Sequence, residues 1–383
     1  MEGGTRATAG PRRRQRHVIV VGGGISGLAA AERLARERVP ARVTLLEASD
    51  ALGGCIGTDH VDGFVVERGP DVFLAKPAAL ELCARVGIAD RLIATRPEAP
   101  GSYVMRGGTL RRDPGGSRPI YSGTAQPTGG PPPVFRSLRG GLGTLIAGVA
   151  GAIRARGVDV RTGVHVRHVV PRPGSPPGTA RQGARVVMDG GDVAEADAVI
   201  VATSARAAAA LLGDADPGLG AELSAVAHAS LAIVTLGYGP VDTARVLDAT
   251  GYTVPPDEHR PAIACTWSSA KLDGRAPEHH SLFRVFFGGA ALEREDAAFI
   301  ALARAELCEV LGIGDAPRMT HVVRWTSAMP RYAPDHSERV ARMDARVRAL
   351  AGIVLAGNSY LGVGIPDCVR SGELAAARAL GML

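Results

Sequence analysis

Three glycines near the amino terminus, Gly22, Gly24 and Gly27, have the spacing GxGxxG directly after a short apolar run. Gly22 would permit a tight turn, Gly24 would let the backbone approach a pyrophosphate, and Gly27 would let a helix pack closely on a strand. Glu47 follows about 20 residues later, where a carboxylate can accept hydrogen bonds from a ribose. This spacing predicts a dinucleotide-binding site.

The elements around these residues agree with that prediction. The β-branched run at 17–21 predicts a strand, the Ala, Leu and Arg content of 28–38 predicts a helix, and 42–46 predicts a second strand that ends at the acid. A helix that begins at such a turn directs unpaired N–H groups and positive potential toward phosphates.

A second glycine pair, Gly53 and Gly54, favours FAD over a nicotinamide dinucleotide. Simple nicotinamide dehydrogenases continue into another βα unit at this point, whereas this chain has an alternating strand and the turn ERGP. Extra glycines suit a long flavin dinucleotide that lies against the backbone. We therefore expect residues 67–71 near the flavin ring.

The carboxyl-terminal stretch GVGIPDCVRSGELAAARAL predicts a glycine turn followed by a helix. Pro366 would lie in the first turn, where its missing N–H has no cost, and Asp367 would favour the helix dipole. If the flavin ring lies over this helix start, negative charge on the reduced ring is stabilised without a titrating side chain. A packing role for the helix is compatible with this.

Composition predicts a folded chain of about two domains, with 383 residues, 46% of them hydrophobic and 21% charged. The formal charge of +6 is concentrated in a basic tail at 1–16, which is expected to be disordered, so nucleic acid is not an expected partner. The five cysteines have no metal-ligand spacing, which indicates reduced thiols and no metal site. No apolar run is long enough to span a bilayer.

The sequence resembles the flavin amine oxidase superfamily and, within it, the protoporphyrinogen and coproporphyrinogen oxidases. The stretches that carry the resemblance are VVGGGISGLAAAERL, LLEASDALGG, GFVVERGPDVFL, SLRGGLGTLI, RWTSAMPRYAPDH and LAGNSYLGVGIPDCVRSGE.

The resemblance implies an α/β protein: a doubly wound, Rossmann-like FAD-binding domain of the glutathione reductase and amine oxidase type, and a smaller α+β substrate domain with a mixed sheet. The FAD-binding domain would be assembled from residues 17–90, 138–212 and 318–383. The substrate domain would take 91–137 and 213–317. Relatives have a helical cap of several dozen residues where this chain has only a Pro- and Gly-rich loop at 111–137, so we expect a shortened cap and a more open flavin site.

The resemblance also implies which residues bind FAD, since the flavin itself performs the chemistry and no catalytic side chain is expected. The expected contacts are the pyrophosphate turn Gly22, Gly23, Gly24, Ile25, Ser26 and Gly27, the adenosine side Glu47, Ala48 and Val166, and the ring side Cys55, Gly69, Pro70, Asp71, Val72, Trp325, Asn358, Val363, Gly364 and Ile365. Arg331 is a candidate for binding substrate carboxylates, and a surface role is equally compatible with its position. His336 is expected to have a capping or core role.

The implied activity is oxidation of protoporphyrinogen IX by O2, a six-electron reaction that releases H2O2 in heme biosynthesis. The alternatives are coproporphyrinogen III as substrate, an amine oxidase-like enzyme, and a cap-less FAD-binding relative that has lost catalysis. The expected location is the cytoplasm, with weak peripheral contact to the inner face of the membrane and a homodimer left open. Ala51, Ser102 and Asp335 depart from residues that the family usually has.

Overall fold

The computed structural model describes residues 15–37, 41–113, 134–173, 183–240 and 247–383. The predicted basic tail at 1–16 lies outside these ranges except for its last two residues, and Arg16 already belongs to the first strand. The predicted loop at 111–137 is shorter than expected, because its first two residues end one strand and residues 135–137 lie in another. Its interior, 114–133, lies outside the described residues.

A parallel sheet of five described strands forms the centre of the part that the sequence predicts to bind the nucleotide, in the order β10-β2-β1-β14-β20. The central strands are rich in buried β-branched and aliphatic residues, as expected for strands covered on both faces, whereas the edge strand at 159–161 is Asp-Val-Arg and is not buried. The strands are β1 (Arg16–Val21), β2 (Ala41–Leu46), β10 (Asp159–Arg161), β14 (Ala198–Val201) and β20 (Ile353–Leu355).

Helices cover both faces of this sheet. Alternate side chains of β1 therefore pack into two different cores. Val18 and Val20 pack into one core, and Ile19 and Val21 pack into the other. The first core contains α1 (Ile25–Arg36), α2 (Pro77–Arg85), α3 (Gly143–Ala155) and α9 (Ile365–Leu380). The second contains α4 (Ala205–Leu212), α5 (Pro217–Ser224), α8 (His336–Ala349) and the antiparallel strands β11 (Val166–Pro171), β12 (Ala184–Met188) and β13 (Val193–Ala196). The predicted doubly wound arrangement is confirmed.

A second sheet has seven described strands in the order β19-β15-β18-β17-β16-β7-β8. It is mixed, as predicted, since β7 and β16 are parallel and the other neighbours are antiparallel. Its strands are β7 (Tyr103–Arg106), β8 (Thr109–Arg112), β15 (Ala227–Tyr238), β16 (Gly251–Thr253), β17 (Ala262–Trp267), β18 (Ser281–Gly288) and β19 (Met319–Arg331). Short α6 (Ser268–Lys271) follows β17, and α7 (Asp296–Leu311) covers the sheet through Phe299 and Leu307.

The described residues also form two small sheets. One is the hairpin of β3 (Thr58–Val61) and β4 (Phe64–Glu67), and the other joins β5 (Phe73–Leu74), β9 (Phe135–Leu138) and β6 (Leu92–Ala94). Strand β19 pairs with β15, so the first part of the segment 318–383 belongs by hydrogen bonding to the seven-stranded sheet. The domain boundaries themselves stay a prediction.

In the described ranges, no helix is both long enough and apolar enough to cross a membrane.

Candidate functional site

The turn between β1 and α1 requires glycine at two positions. Gly22 has a φ of +109°, and a Cβ placed there would lie 2.6 Å from the carbonyl oxygen of Ala202. A Cβ on Gly27 would lie 1.9 Å from the carbonyl oxygen of Gly22. The helix therefore approaches the strand as closely as the sequence predicted, and no larger residue fits either position.

Gly24 differs because the space beside it is open. It is the N-cap of α1, it provides no side-chain cap, and a Cβ placed there would meet no atom within 4 Å. The main chain of residue 53 closes one side, since Gly53 N donates to Gly23 O over 2.8 Å. An uncapped helix start that faces open space between two glycine turns fits a pyrophosphate.

Glu47 lies directly beside this turn. Its Oε2 accepts a hydrogen bond from Gly23 N over 2.6 Å, and its Oε1 accepts from the main-chain N and the hydroxyl of Ser49 over 2.9 and 2.7 Å. These contacts fix the carboxylate, and its remaining lone pairs can accept ribose hydroxyls. Val164 N donates to Glu47 O over 2.9 Å, which brings the start of β11, with Val166, to the same edge.

The segment 67–72, which joins β4 to β5, lies against both Cys55 and Trp325. A Cβ on Gly69 would lie 2.0 Å from the carbonyl oxygen of Cys55, so glycine is required there by close approach. The indole Nε1 of Trp325 donates to Arg68 O over 2.7 Å. The structure therefore brings together three of the residues that the sequence predicted on the ring side.

Beneath this segment lies a group of five charged side chains, named here the buried ion cluster: Glu67, Asp71, Lys271, Arg275 and Arg284. Lys271 Nζ lies 2.9 and 3.0 Å from the carboxylate oxygens of Asp71. Arg275 Nη2 lies 3.1 Å from Glu67 Oε1, and Arg284 Nη1 lies 3.6 Å from Asp71 Oδ2. Every cation comes from the seven-stranded sheet and its loops, so the cluster joins that sheet to the segment 67–72.

The two carboxylates of the cluster respond differently to burial. Burial opposes ionisation of Asp71, but Lys271 and Arg284 outweigh it and lower the pKa of this carboxyl to about 2. For Glu67, burial is the larger influence and raises the pKa, although Arg275 acts against it. Burial also lowers the pKa of Arg275.

The loop between β20 and α9 carries Asn358, Val363 and Gly364. Gly364 is the N-cap of α9 without a side-chain cap, and Ile365 is buried. Tyr332 holds this loop from outside, since its hydroxyl donates to Asn358 O and accepts from Gly362 N over 3.0 Å. The predicted helix start therefore exists, and its main chain is fixed by a residue that the sequence analysis did not select.

His336 supports Tyr332. The two rings stack with centroids 3.8 Å apart and an interplanar angle of 7°, and His336 Nε2 lies 3.1 Å from Tyr360 O. His336 is buried at the first position of α8, and burial lowers the pKa of its imidazole. This matches the core role expected from the sequence.

Arg331 is exposed at the last position of β19, one residue before Tyr332. Leu361, on the loop held by Tyr332, is 66% exposed. Arg331 and Leu361 thus provide a cation and an apolar surface on segments that Tyr332 joins.

Sequence reasoning missed Tyr332, Lys271, Arg275 and Arg284. One signal was present: Arg284 is a single charged residue within the apolar strand SLFRVFFG, and a fully buried arginine requires a partner. The tyrosine had no comparable signal, because its partners are main-chain atoms of a distant loop.

The residues present fit an extended flavin dinucleotide, on the evidence of the open space at Gly24, the two uncapped helix starts and the fixed carboxylate of Glu47. Comparison with known families agrees: the model of flavin containing amine oxidoreductases matches residues 25–127 and 119–380.

Relatives from several bacteria carry the name coproporphyrinogen III oxidase. The protein from Bacillus subtilis (strain 168) is 27% identical, with 96% of this chain and 99% of the relative covered. The protein from Mycobacterium tuberculosis (strain ATCC 25618 / H37Rv) is 30% identical, with 92% and 95% covered.

Among solved structures, a provisionally named protoporphyrinogen oxidase from Exiguobacterium sp. 255-15 has a TM-score of 0.80 at 22% identity, over 96% of this chain and 99% of that one. This likeness supports the fold described above.

Proposed function

The chain belongs to the flavin containing amine oxidoreductase family, and on that premise we propose that it oxidises a porphyrinogen to a porphyrin, with coproporphyrinogen III as the first substrate to test. The chain is an oxidoreductase with a flavin cofactor. The observation that carries the choice of substrate is the match, over nearly the whole chain, to relatives named coproporphyrinogen III oxidase. Protoporphyrinogen IX is the competing substrate, since a 25% identical protein from Bos taurus carries the name protoporphyrinogen oxidase.

The exposed surface at the loop between β20 and α9 supports a flat, amphipathic substrate. Leu361 offers an apolar contact for a macrocycle face, and Arg331 offers a charge-assisted hydrogen bond for a carboxylate. Coproporphyrinogen III carries more propionate carboxylates than protoporphyrinogen IX, so a cation at this position favours the former.

When bound, the flavin accepts the electrons and hydrogen that the macrocycle loses, in three two-electron steps, and O2 is the proposed final acceptor with H2O2 as product. The protein binds the flavin and the substrate and orients them relative to each other. Residues 22–27 and Glu47 would hold the nucleotide, and the segment 67–72, Trp325 and the loop between β20 and α9 would hold the ring. The start of α9 at Gly364 provides main-chain N–H groups and positive potential for negative charge on the ring.

The shortened cap is part of this proposal. The alignment with the Bacillus subtilis protein extends over 485 residues, whereas this chain has 383, so that relative carries residues with no counterpart here. We place the difference within 111–137, the stretch that runs from the end of β8, in the seven-stranded sheet, into β9.

The test is an aerobic assay of the purified, flavin-loaded protein with each porphyrinogen, following porphyrin fluorescence and peroxide. We expect both products, with a higher kcat/KM for coproporphyrinogen III. A Gly24→Ala variant, whose added methyl group takes up space beside the expected pyrophosphate, is the matched control: its flavin affinity should fall at least about tenfold, and at limiting flavin it should form less of both products. A flavin-loaded protein that oxidises neither porphyrinogen would overturn the proposal.

The outcomes also separate the alternatives. Peroxide formed from an amine in place of a porphyrinogen indicates an amine oxidase-like enzyme. Bound flavin without turnover of any of these substrates indicates a relative that has lost catalysis.

A further inference from the structure

The buried ion cluster contains more positive than negative charge. In the described part of the chain, the ion pairs of Lys271, Arg275 and Arg284 are formed with two carboxylates, those of Glu67 and Asp71. Arg284 is 1% exposed, and Arg275 and Glu67 are each 2% exposed. With all five groups ionised, one positive charge is left without a carboxylate, in surroundings where water screens it little.

The positively charged side chains of the cluster lie against the main chain of the segment 67–72. Arg284 Nη2 donates to the carbonyl oxygen of Glu67 over 3.2 Å and also to that of Gly69. Arg275 donates to the hydroxyl of Ser137, which in turn donates to Asp71 O over 2.6 Å. Two arginines are therefore hydrogen-bonded, one of them through Ser137, to the stretch of main chain expected beside the flavin ring.

If the buried ion cluster served only to join the seven-stranded sheet to the segment 67–72, equal numbers of positive and negative charges would make it more stable. Burying an uncompensated charge is costly, and Arg275 Nε and Arg284 Nε are buried atoms without a hydrogen-bond partner among the described residues. An anionic group bound on the other side of the segment 67–72 would compensate that charge.

We propose that the positive surplus of the buried ion cluster stabilises negative charge on the flavin ring, so that Lys271, Arg275 and Arg284 are positioning residues that tune the cofactor. The inference rests on the placement of the ring beside residues 69–71 in the proposed function. It adds to the start of α9 a second source of positive potential, which comes from the seven-stranded sheet.

Sulfite provides a test that needs no porphyrinogen. Its sulfur lone pair forms a bond to the flavin ring, the displaced electron pair remains on the ring, and the product carries the added negative charge without any other reactant. The dissociation constant of sulfite, measured by loss of flavin absorbance, therefore reports how well the protein tolerates negative charge on the ring.

The variants form a charge series. Lys271→Met removes the surplus and should weaken sulfite binding about tenfold, the order expected for one partly screened charge in a protein interior. Asp71→Asn doubles the surplus and should strengthen binding by a similar factor. The double variant Lys271→Met/Asp71→Asn restores the original surplus and should return the dissociation constant to within about threefold of the wild-type value.

A merely structural role gives a different pattern, because each single variant breaks the same ion pair and both would weaken sulfite binding. That pattern, or no change in any variant, would overturn the inference. If Asp71→Asn does not bind flavin, Lys271→Met compared with Lys271→Arg still decides, since only the first removes charge. Arg348→Met, at an exposed ion pair with Asp344 on α8, is the control for a charge lost elsewhere.

The inference and the proposed function can fail separately. A wild-type protein that oxidises no porphyrinogen, combined with sulfite constants that follow the charge series, would refute the function and retain the inference. If the protein forms porphyrin but its sulfite dissociation constants do not follow the charge series, the inference is refuted and the proposed function is retained.

Discussion

The phenol oxygen of Tyr332 accepts a hydrogen bond from the main-chain N–H of Gly362 over 3.0 Å, and its proton is donated to the carbonyl oxygen of Asn358. One side chain thereby holds two points of the loop that precedes α9. Tyr332 follows β19, so the end of the seven-stranded sheet fixes a loop of the nucleotide-binding part.

Replacing Tyr332 by Phe should destabilise the apoprotein by about 1–2 kcal/mol, because two main-chain groups lose their partner while the stacking on His336 remains. Flavin should also dissociate more readily, since the loop is less fixed. Urea unfolding and a flavin titration measure the two effects. Tyr252→Phe is the matched control: its buried hydroxyl donates to Glu306, so it should lose similar stability and no flavin affinity.

Gly24→Ala and Gly27→Ala should separate cofactor binding from folding. A methyl group on Gly24 meets no protein atom, so apoprotein stability should fall by less than about 1 kcal/mol, whereas flavin affinity should fall at least about tenfold. A methyl group on Gly27 collides with Gly22 O, and stability should fall by about 4 kcal/mol or more. Equal flavin affinity in the wild type and Gly24→Ala would contradict the site assignment.

The low pKa of Asp71 predicts a contribution to acid stability. Its folded pKa of about 2 lies below its ordinary value, so the ionised form stabilises the fold above about pH 4, and this contribution is lost as the pH falls toward 2. The ionised carboxylate contributes about 2 kcal/mol to the free energy of unfolding. Glu67 has the opposite effect on stability: because its pKa is raised in the folded protein, its ionisation at higher pH lowers the free energy of unfolding.

The measurement that isolates Asp71 is urea unfolding of the apoprotein between pH 5 and pH 3. The wild type should lose more stability than Lys271→Met/Asp71→Asn, in which this carboxyl is absent and its lysine partner is replaced. Parallel pH profiles for the two proteins would show that the ion pair does not titrate as described.

Arg331→Gln tests substrate recognition. Loss of a charge-assisted hydrogen bond to a carboxylate should raise the KM for coproporphyrinogen III by about tenfold, with flavin affinity unchanged because Arg331 is placed at the substrate side. Arg304→Gln, at an exposed position of α7, is the control and should leave KM unchanged. If the KM of Arg331→Gln equals that of the wild type, Arg331 does not bind the substrate and is an ordinary surface residue.

The sequence was most informative where the signal is local. The turn at 22–27, its flanking strand and helix, and the acid at 47 lie within about 30 residues of each other, and the required types follow from backbone geometry. The helix start at residue 364 was predictable for the same reason, since a glycine turn and Pro366 mark it.

Long-range pairing was not predictable in the same way. Lys271 and Asp71 are 200 positions apart, and nothing in either neighbourhood indicates the other. The membership of β19 in the seven-stranded sheet was missed likewise, because strand pairing depends on register between distant segments and only weakly on composition. Ser137 was placed in a loop, but it is fully buried and links Arg275 to Asp71.

The close contact between α1 and α9 joins two distant parts of the chain. A Cβ on Gly372 would lie 2.0 Å from the carbonyl oxygen of Ser26, so α9 packs directly against the helix that begins at the GxGxxG turn. The glycine motif is local in sequence, but the packing that supports it is not. The turn is therefore fully supported only when a segment from far along the chain is already folded against it.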